Sequence, residues 1–514
     1  MEKTMKLTKS EKCIFFTLLA LGLFARLYRF GTAPPGLNQD EAFAAYEAWA
    51  LLHFGLDSSL HPWPVYLTAW GSGMNALESY LMLPFLALFG AKAWVIRLPQ
   101  LLLGLAALPA AFSVGRRMAG RTGGLCALAV LALCPWHILL SRWALESNMA
   151  PNLLLLSLCF FLRGREDGRF LPLAALCCGL ALYAYSAIWP VMPVLLLLLL
   201  LYARPRLDRQ LVLAGVILAA LALPLMAFLA VNYGLIGEFS IGPFSVPKLV
   251  EARAEEISLR RIPENLATML GILLKQSDGL KWNSPGVYGL FYPVVMPVFG
   301  LFGLGALVWR LVRSLRAKRF DPAVPVLLWL LCGLALTALI SVNVNRMNFL
   351  LVPVGLTVAF GAAEALRLCG KYRRAAGAAA LTILLVLFGF FARYYFSDYS
   401  ASLNGEFTNG WSEALDAALA HEGTVYVTKS LSYPKLLLKS ETSPQDFNAT
   451  VEYERYPAAF LAPRRFGRFV FCEDTAAPFD MFGVYVLWNG TPVERFVQAG
   501  FTVERHGCFE VLWR

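Results

Sequence analysis

Through most of its length the chain alternates long apolar runs with short connections, a rhythm that predicts helices crossing a bilayer. Eleven runs read this way: approximately 12–31, 93–114, 122–140, 149–163, 170–187, 188–203, 210–231, 290–310, 323–341, 347–366 and 376–395. A crossing helix needs about 20 predominantly apolar residues. Basic residues punctuate alternate connections: Lys3, Lys6, Lys9 and Lys12; Arg116, Arg117 and Arg121; Arg163, Arg165 and Arg169. The series continues with Arg204, Arg206 and Arg209; Arg310, Arg313, Arg316, Lys318 and Arg319; and Arg367, Lys371, Arg373 and Arg374. The positive-inside tendency then places the N-terminus in the cytoplasm, and an odd number of spans leaves the C-terminus outside. The first run lacks a small-residue cleavage site and reads as a retained span. Three segments too long for turns, roughly 32–92, 232–289 and 396–514, all fall outside.

Near Trp411 the pattern becomes that of a small soluble fold. Trp411 to Leu415 opens a helical pattern, while Thr424–Thr428 and Arg468–Cys472 alternate as strands do. Pro492 to Ala499 reads as a helix ending at Gly500, followed by strands at Phe501–Glu504 and Phe509–Trp513. The expected fold class is therefore mainly α: a polytopic membrane protein with about eleven transmembrane helices over 1–395. A small extracytoplasmic α/β domain over 396–514 rests above them.

Composition sharpens this picture. Hydrophobic residues make up 58% of the chain and charged ones 15%, against about 45–50% and about 25% in soluble domains. The formal charge of +11 does not indicate a nucleic-acid partner, because the basic residues lie between apolar runs rather than on one solvated face. Nucleotide sugars and ATP are not available outside, so chemistry there needs a substrate that has already crossed; a lipid-carried one is the natural candidate. Eight of the ten cysteines (Cys13, Cys126, Cys134, Cys159, Cys177, Cys178, Cys332 and Cys369) lie in or beside spans, where Cys behaves as a small apolar residue. Cys472 and Cys508 lie in the outside segment, either as a disulfide or as two buried thiols. No C-x-x-C or His/Cys metal spacing occurs.

The candidate chemistry begins at Pro34-Pro35-Gly36-Leu37-Asn38-Gln39-Asp40-Glu41, just beyond the first run. Carboxylates beside a bilayer are costly and mark a site by default. A structural reading also exists, since Asn38 with Glu41 three residues on fits a capping box. The following Ala42–Leu52 reads as an amphipathic, aromatic-rich helix lying in the membrane plane. Other outside connections supply cations. In Ser141–Asn148, Arg142 and Glu146 stand one helical turn apart, a spacing that permits an intrahelical pair. Ser341–Asn348 carries Arg346 among Asn343, Asn345 and Asn348, whose clustered amides argue for a polar pocket. Arg97 lies at the outer end of the second span, and Arg260, Arg261, Lys275 and Lys281 lie in the long later loop, where Lys281–Gly286 is the most site-like stretch.

Moving a sugar from a phosphate-linked donor to a hydroxyl needs a base for the acceptor's proton and cations for the departing phosphate. Phosphate leaves readily, so one carboxylate suffices and a single displacement inverts the anomeric centre. A metal is not demanded, although Asp40, Glu41 and Glu146 could ligate a divalent ion.

At these residues the chain resembles the lipid-dependent GT-C glycosyltransferases, the superfamily of protein O-mannosyltransferases and bacterial aminoarabinose transferases. Its anchors are Asp40-Glu41, Leu88-Phe89-Gly90, Arg97-Leu98-Pro99, Pro135-Trp136-His137 with Ser141-Arg142 before Glu146, and Arg346 leading to Phe349-Leu350 and Pro353. They run in order over roughly 12–370. The resemblance implies a polyprenyl-phosphate sugar donor, undecaprenyl phosphate in a bacterial host, with Asp40 as base and Glu41 orienting it or the acceptor. Arg346 and Arg142 become candidates for the donor phosphate, and Glu146, Arg97, Lys281, His137 and Asn345 further substrate contacts. The small tail differs from the O-mannosyltransferase lumenal domain, which argues for a lipid, cell-wall polymer or glycan acceptor over a protein one. The rivals are a transporter, whose polar groups would sit at mid-membrane, and a flippase or polymerase for lipid-linked glycans, which needs no Asp40 base.

Overall fold

The computed structural model describes residues 6–251 and 258–514; Lys3 of the first basic cluster lies outside the described residues. In chain order the α-helices up to Tyr394 are α1 (Lys9–Leu27), α2 (Gln39–Phe54), α3 (Leu77–Phe89), α4 (Ala93–Ile96), α5 (Leu98–Leu133), α6 (Pro135–Leu140), α7 (Glu146–Gly164) and α8 (Leu171–Ala184). They continue as α9 (Met192–Ala203), α10 (Arg209–Asn232), α11 (Ile262–Lys275), α12 (Val295–Ala317), α13 (Val324–Leu339), α14 (Val344–Leu368) and α15 (Arg373–Tyr394). Every expected apolar run falls on helix. Among the described residues five helices are long and apolar enough to cross a membrane: α5, α10, α12, α14 and the continuous stretch Gly370–Ser402. This is a multi-pass membrane protein.

Contacts divide the chain into two compact units, one of Met1–Phe30, Gln100–Leu223 and Ala254–Ser397, the other of Gly31–Pro99, Pro224–Arg253 and Asp398–Arg514. In the first unit α14 is central: 78% of its most apolar window is buried inside the protein, against 11% for α12. The outer surfaces of α12 and α15 are thus apolar without protein cover, as a lipid-facing helix requires. α12 and α14 meet through glycines, since a Cβ on Gly303 would strike the Thr357 carbonyl and one on Gly361 the Phe299 carbonyl. Small residues at such crossings let helix backbones approach closely. The α5 run is two helices joined at Ala119 and Gly120, whose φ of 65° suits glycine. Beside this joint the expected basic clusters find carboxylates, with Arg117 bidentate to Glu166 and Arg121 bonded to Glu11. Arg367 pairs with Glu364 at 2.6 Å.

The second unit contains α2, α3, α4, the hairpin β1 (Phe239–Ile241) and β2 (Phe244–Val246), and the C-terminal sheet. Its helices are α16 (Ser400–Ser402), α17 (Trp411–Leu419), α18 (Tyr433–Lys439), α19 (Pro444–Thr450) and α20 (Glu494–Gln498). The strands are β3 (Val425–Thr428), β4 (Glu452–Tyr453), β5 (Pro463–Phe466), β6 (Phe469–Cys472), β7 (Val484–Trp488), β8 (Thr502–His506) and β9 (Phe509–Trp513). They form one sheet in the order β4-β5-β6-β3-β7-β9-β8, with β3 parallel to β6 and β7 and the other pairs antiparallel. One side of its core gathers Tyr485, Leu487, Phe496, Phe501 and Leu512. Cys472 and Cys508 are both free thiols, so the disulfide alternative is not realised.

Two local expectations are corrected. α2 is buried on every face from Glu41 to Leu51 rather than amphipathic, because its alanines (Ala42, Ala44, Ala45, Ala48 and Ala50) let neighbouring chain close in all round. Arg142 and Glu146 do not share a helix: α6 ends at Leu140 and α7 begins at Glu146.

Candidate active site

The carboxylate pair sits at the start of α2 in the second unit. Asn38 is the N-cap; its side chain accepts the Asp40 amide at 3.1 Å, and Glu41 Oε2 accepts the Asn38 amide at 2.8 Å. The capping box expected from the sequence is formed. Glu41 also meets Arg97: Nε donates to Oε1 at 2.7 Å and Nη2 to Oε2 at 2.9 Å. Both side chains are fully buried. Arg97 further donates to the carbonyls of Pro34 at 2.8 Å and Gly36 at 2.9 Å. One guanidinium thus ties the 34–36 segment to the helix start, and both oxygens of Glu41 are engaged. Gly36 has a φ of 68°, and a Cβ there would meet the Phe407 carbonyl, so only glycine fits. Asp40, next to this clamp, is only partly buried.

α18 packs against α2 from the C-terminal region: Phe43 and Tyr433 rings lie 5.5 Å apart, and the Tyr46 hydroxyl donates to the Thr442 carbonyl at 2.9 Å. α18 brings Lys435, 1% exposed, within electrostatic reach of Glu41 and Asp40. Burial pulls its ammonium down to about 7, although both carboxylates oppose the shift. Farther along α2 a second buried acid, Glu47, accepts from the Ser58 amide and hydroxyl. Burial and the nearby Asp57 push its carboxyl above the ordinary range. Asp57 itself accepts from the Ser59 and His61 amides and from Thr68. This second pair organises the 57–68 loop.

The first unit holds the other expected residues. Arg142 is fully buried, and its guanidinium donates to the carbonyls of Ala25, Arg26, Tyr28 and Arg29 and to the Tyr395 hydroxyl. It therefore caps the C-terminal end of α1, where carbonyls lack helical partners. His137 is buried between Arg26, which donates to Nδ1 at 2.6 Å, and Asn152, whose side-chain oxygen lies 2.9 Å from Nε2. Because Arg can only donate, the proton sits on Nε2. Glu146 is partly buried at the first position of α7. Arg346 is partly buried in the first turn of α14 and bonds Ser341; Lys281 is exposed. Asp278 accepts from the Val344 amide at 2.9 Å and from Asn283 at 2.7 Å, fastening the 278–283 turn to the start of α14. That juxtaposition makes a small recess of about 10 Å³, room for one water, lined by Trp136, Trp143, Trp282, Asn148, Asn345 and Asn348 among others. Of the Arg346 cluster read from the sequence, Asn345 and Asn348 line this recess, while Arg346 and Asn343 are not among its lining residues. Among the described residues no group of three or more His, Cys, Asp or Glu is arranged to hold a metal ion.

The sequence model of the dolichyl-phosphate-mannose-protein mannosyltransferase family matches residues 76–228. Among solved structures, ArnT from Cupriavidus metallidurans in the apo state superposes with a TM-score of 0.55 at 14% identity. That match covers 98% of this chain and 97% of ArnT. The same protein bound to undecaprenyl phosphate gives a TM-score of 0.56 at 15% identity, over 98% of each chain. No curated protein matches the sequence.

The chain has the GT-C fold. The fold implied by the resemblance read from Asp40-Glu41 and the anchors after it is shared with ArnT over nearly the whole length. Within that fold, sequence reasoning missed Lys435, because the C-terminal region offered no catalytic motif. A signal was there: a lysine two residues into the run Tyr433–Leu438, whose other side chains are apolar. Lysine is almost never fully buried without a partner.

Proposed function

We propose that the chain is an integral membrane glycosyltransferase that moves a sugar from a polyprenyl-phosphate donor to an extracytoplasmic hydroxyl. The observation that carries this reading is the division of labour at the start of α2, where Glu41 is held by Arg97 and Asp40 beside it is partly open. The similarity to ArnT, solved with undecaprenyl phosphate, supports a lipid-phosphate donor. In the proposed step Asp40 takes the acceptor's hydroxyl proton as the new bond forms at the anomeric carbon. The bond from that carbon to the phosphate oxygen breaks, and the electron pair leaves with polyprenyl phosphate. The anomeric configuration inverts. Glu41 orients the Asp40 turn, and Arg346 is a candidate for the donor phosphate. Arg142 and His137 support the fold around α1, and Asn345 lines a recess suited to a hydroxyl. The leaving group is good enough that no cofactor is required. The basic connections favour eleven spans with a cytoplasmic N-terminus, and the region 396–514 outside. The acceptor is a lipid, glycan or protein hydroxyl.

The test is incubation of the purified protein with a panel of polyprenyl-phosphate sugars, following free carrier by mass spectrometry. Carrier release from one member supports a transferase. Donor that stays intact while crossing a vesicle bilayer supports the flippase reading instead.

A further inference from the structure

Lys435 is the least explained charge in the second unit. Its side chain is 1% exposed among Leu436, Leu437 and Leu438, which are also buried. Among the described residues its one hydrogen bond is to Ser432 Oγ at 3.3 Å, so two of its three N–H donors are unused. It feels Glu41 and Asp40 but forms no ion pair with either. Arg97 and the Asn38 amide already bond both oxygens of Glu41. Its place in the first turn of α18 also sets a positive charge against the positive end of the helix dipole. Among the described residues, Ser432 and the field of the two carboxylates offset only part of the cost of burying this ammonium, which still titrates well below an ordinary lysine. A buried cation with spare donors, next to a half-open carboxylate, is what an anionic ligand would complete.

Resting on the transferase reading above, we propose that Lys435 holds a phosphodiester oxygen of the lipid-linked donor beside Asp40, so that the C-terminal region contributes a substrate-binding residue. An arriving anion stabilises the charged amine and offsets its desolvation. Around neutrality the unliganded amine is partly uncharged, so binding takes up a proton and weakens as pH rises through that range. The groups facing Lys435 are Asp40 and Glu41 from α2, with Arg97 neutralising Glu41; Tyr433 and the Lys439–Asp416 pair belong to α18 and its neighbour. Glu47 and Tyr46 lie farther along α2 against Tyr433.

The test is equilibrium binding of farnesyl methyl phosphodiester, whose charge does not change over the range used, to the full chain in nanodiscs, with farnesol as the neutral control. Wild type is expected to bind the diester about thirtyfold more weakly at about pH 8.5 than at about pH 6, following the charged fraction of an amine titrating near neutrality. Lys435→Met is expected to bind weakly at both values. Lys435→Arg, which stays charged, is expected to bind at the alkaline value as wild type does at the acid one. Lys435→Met binding as tightly as wild type at the acid value overturns the proposal. So does Lys435→Arg showing the wild-type alkaline loss, a comparison that stands even where the Met variant fails to fold. Inorganic phosphate competing as well as the lipid diester marks a general anion site and overturns the donor assignment. Wild type that binds no diester at any pH sinks the donor reading itself, whereas binding that Lys435→Met retains sinks only the role of Lys435.

Discussion

Asp40→Asn is expected to lower sugar transfer by about 10³-fold, the middle of the range for losing a general base, with donor affinity little changed. The substitution keeps the shape of the side chain and removes its ability to accept a proton. The fold tolerates it for stated reasons. Asp40 is partly exposed, its backbone amide is already satisfied by Asn38, and the Glu41–Arg97 clamp next to it is untouched. Losing one carboxylate from the first turn of α2 forfeits only about 0.3–1 kcal/mol of helix-dipole stabilisation. Single-turnover transfer measured beside equilibrium donor binding separates the two effects. Full activity in the variant removes Asp40 from the chemistry.

Arg97→Met is expected to act on the fold instead. It strands a fully buried Glu41 and withdraws donors from the Pro34 and Gly36 carbonyls. Breaking a buried pair in this one-sided way costs about 3–5 kcal/mol, a large part of the stability of most domains. The variant should show a markedly lower unfolding temperature in detergent and a poor yield. Glu41→Gln combined with Arg97→Met should recover part of the loss, because an amide at 41 is neutral and can still accept the Asn38 amide. A stable but inactive Arg97→Met protein would move Arg97 from scaffold to substrate contact.

How much of this was readable beforehand follows from how local each signal is. The spans and the capping box at Asn38 announce themselves within a few residues, and so do the strands Val425–Thr428 and Phe469–Cys472. The strand Val484–Trp488 did not, because it lies between β3 and β9 and is nearly all buried, so it lacks the polar alternation of a half-exposed strand. The buried packing of α2 depends on partners far along the chain, Tyr433 and Thr442 among them, that no window of sequence contains. The site divides in the same way. Asp40 and Glu41 stood out as charges beside a bilayer, whereas the capping role of Arg142 became visible only once the end of α1 was placed against it. Lys435 needed both at once, a lysine in an apolar run and a carboxylate pair contributed by residues nearly four hundred positions earlier.

The central claim is that one carboxylate carries the reaction, because Glu41 is fully buried against Arg97 whereas Asp40 is partly exposed. Its most direct test is the anomeric configuration of the product, read by NMR with whichever donor releases carrier. A single displacement assisted by Asp40 gives a product of inverted configuration. A product of retained configuration means a covalent glycosyl-enzyme and a second working carboxylate, and contradicts the account.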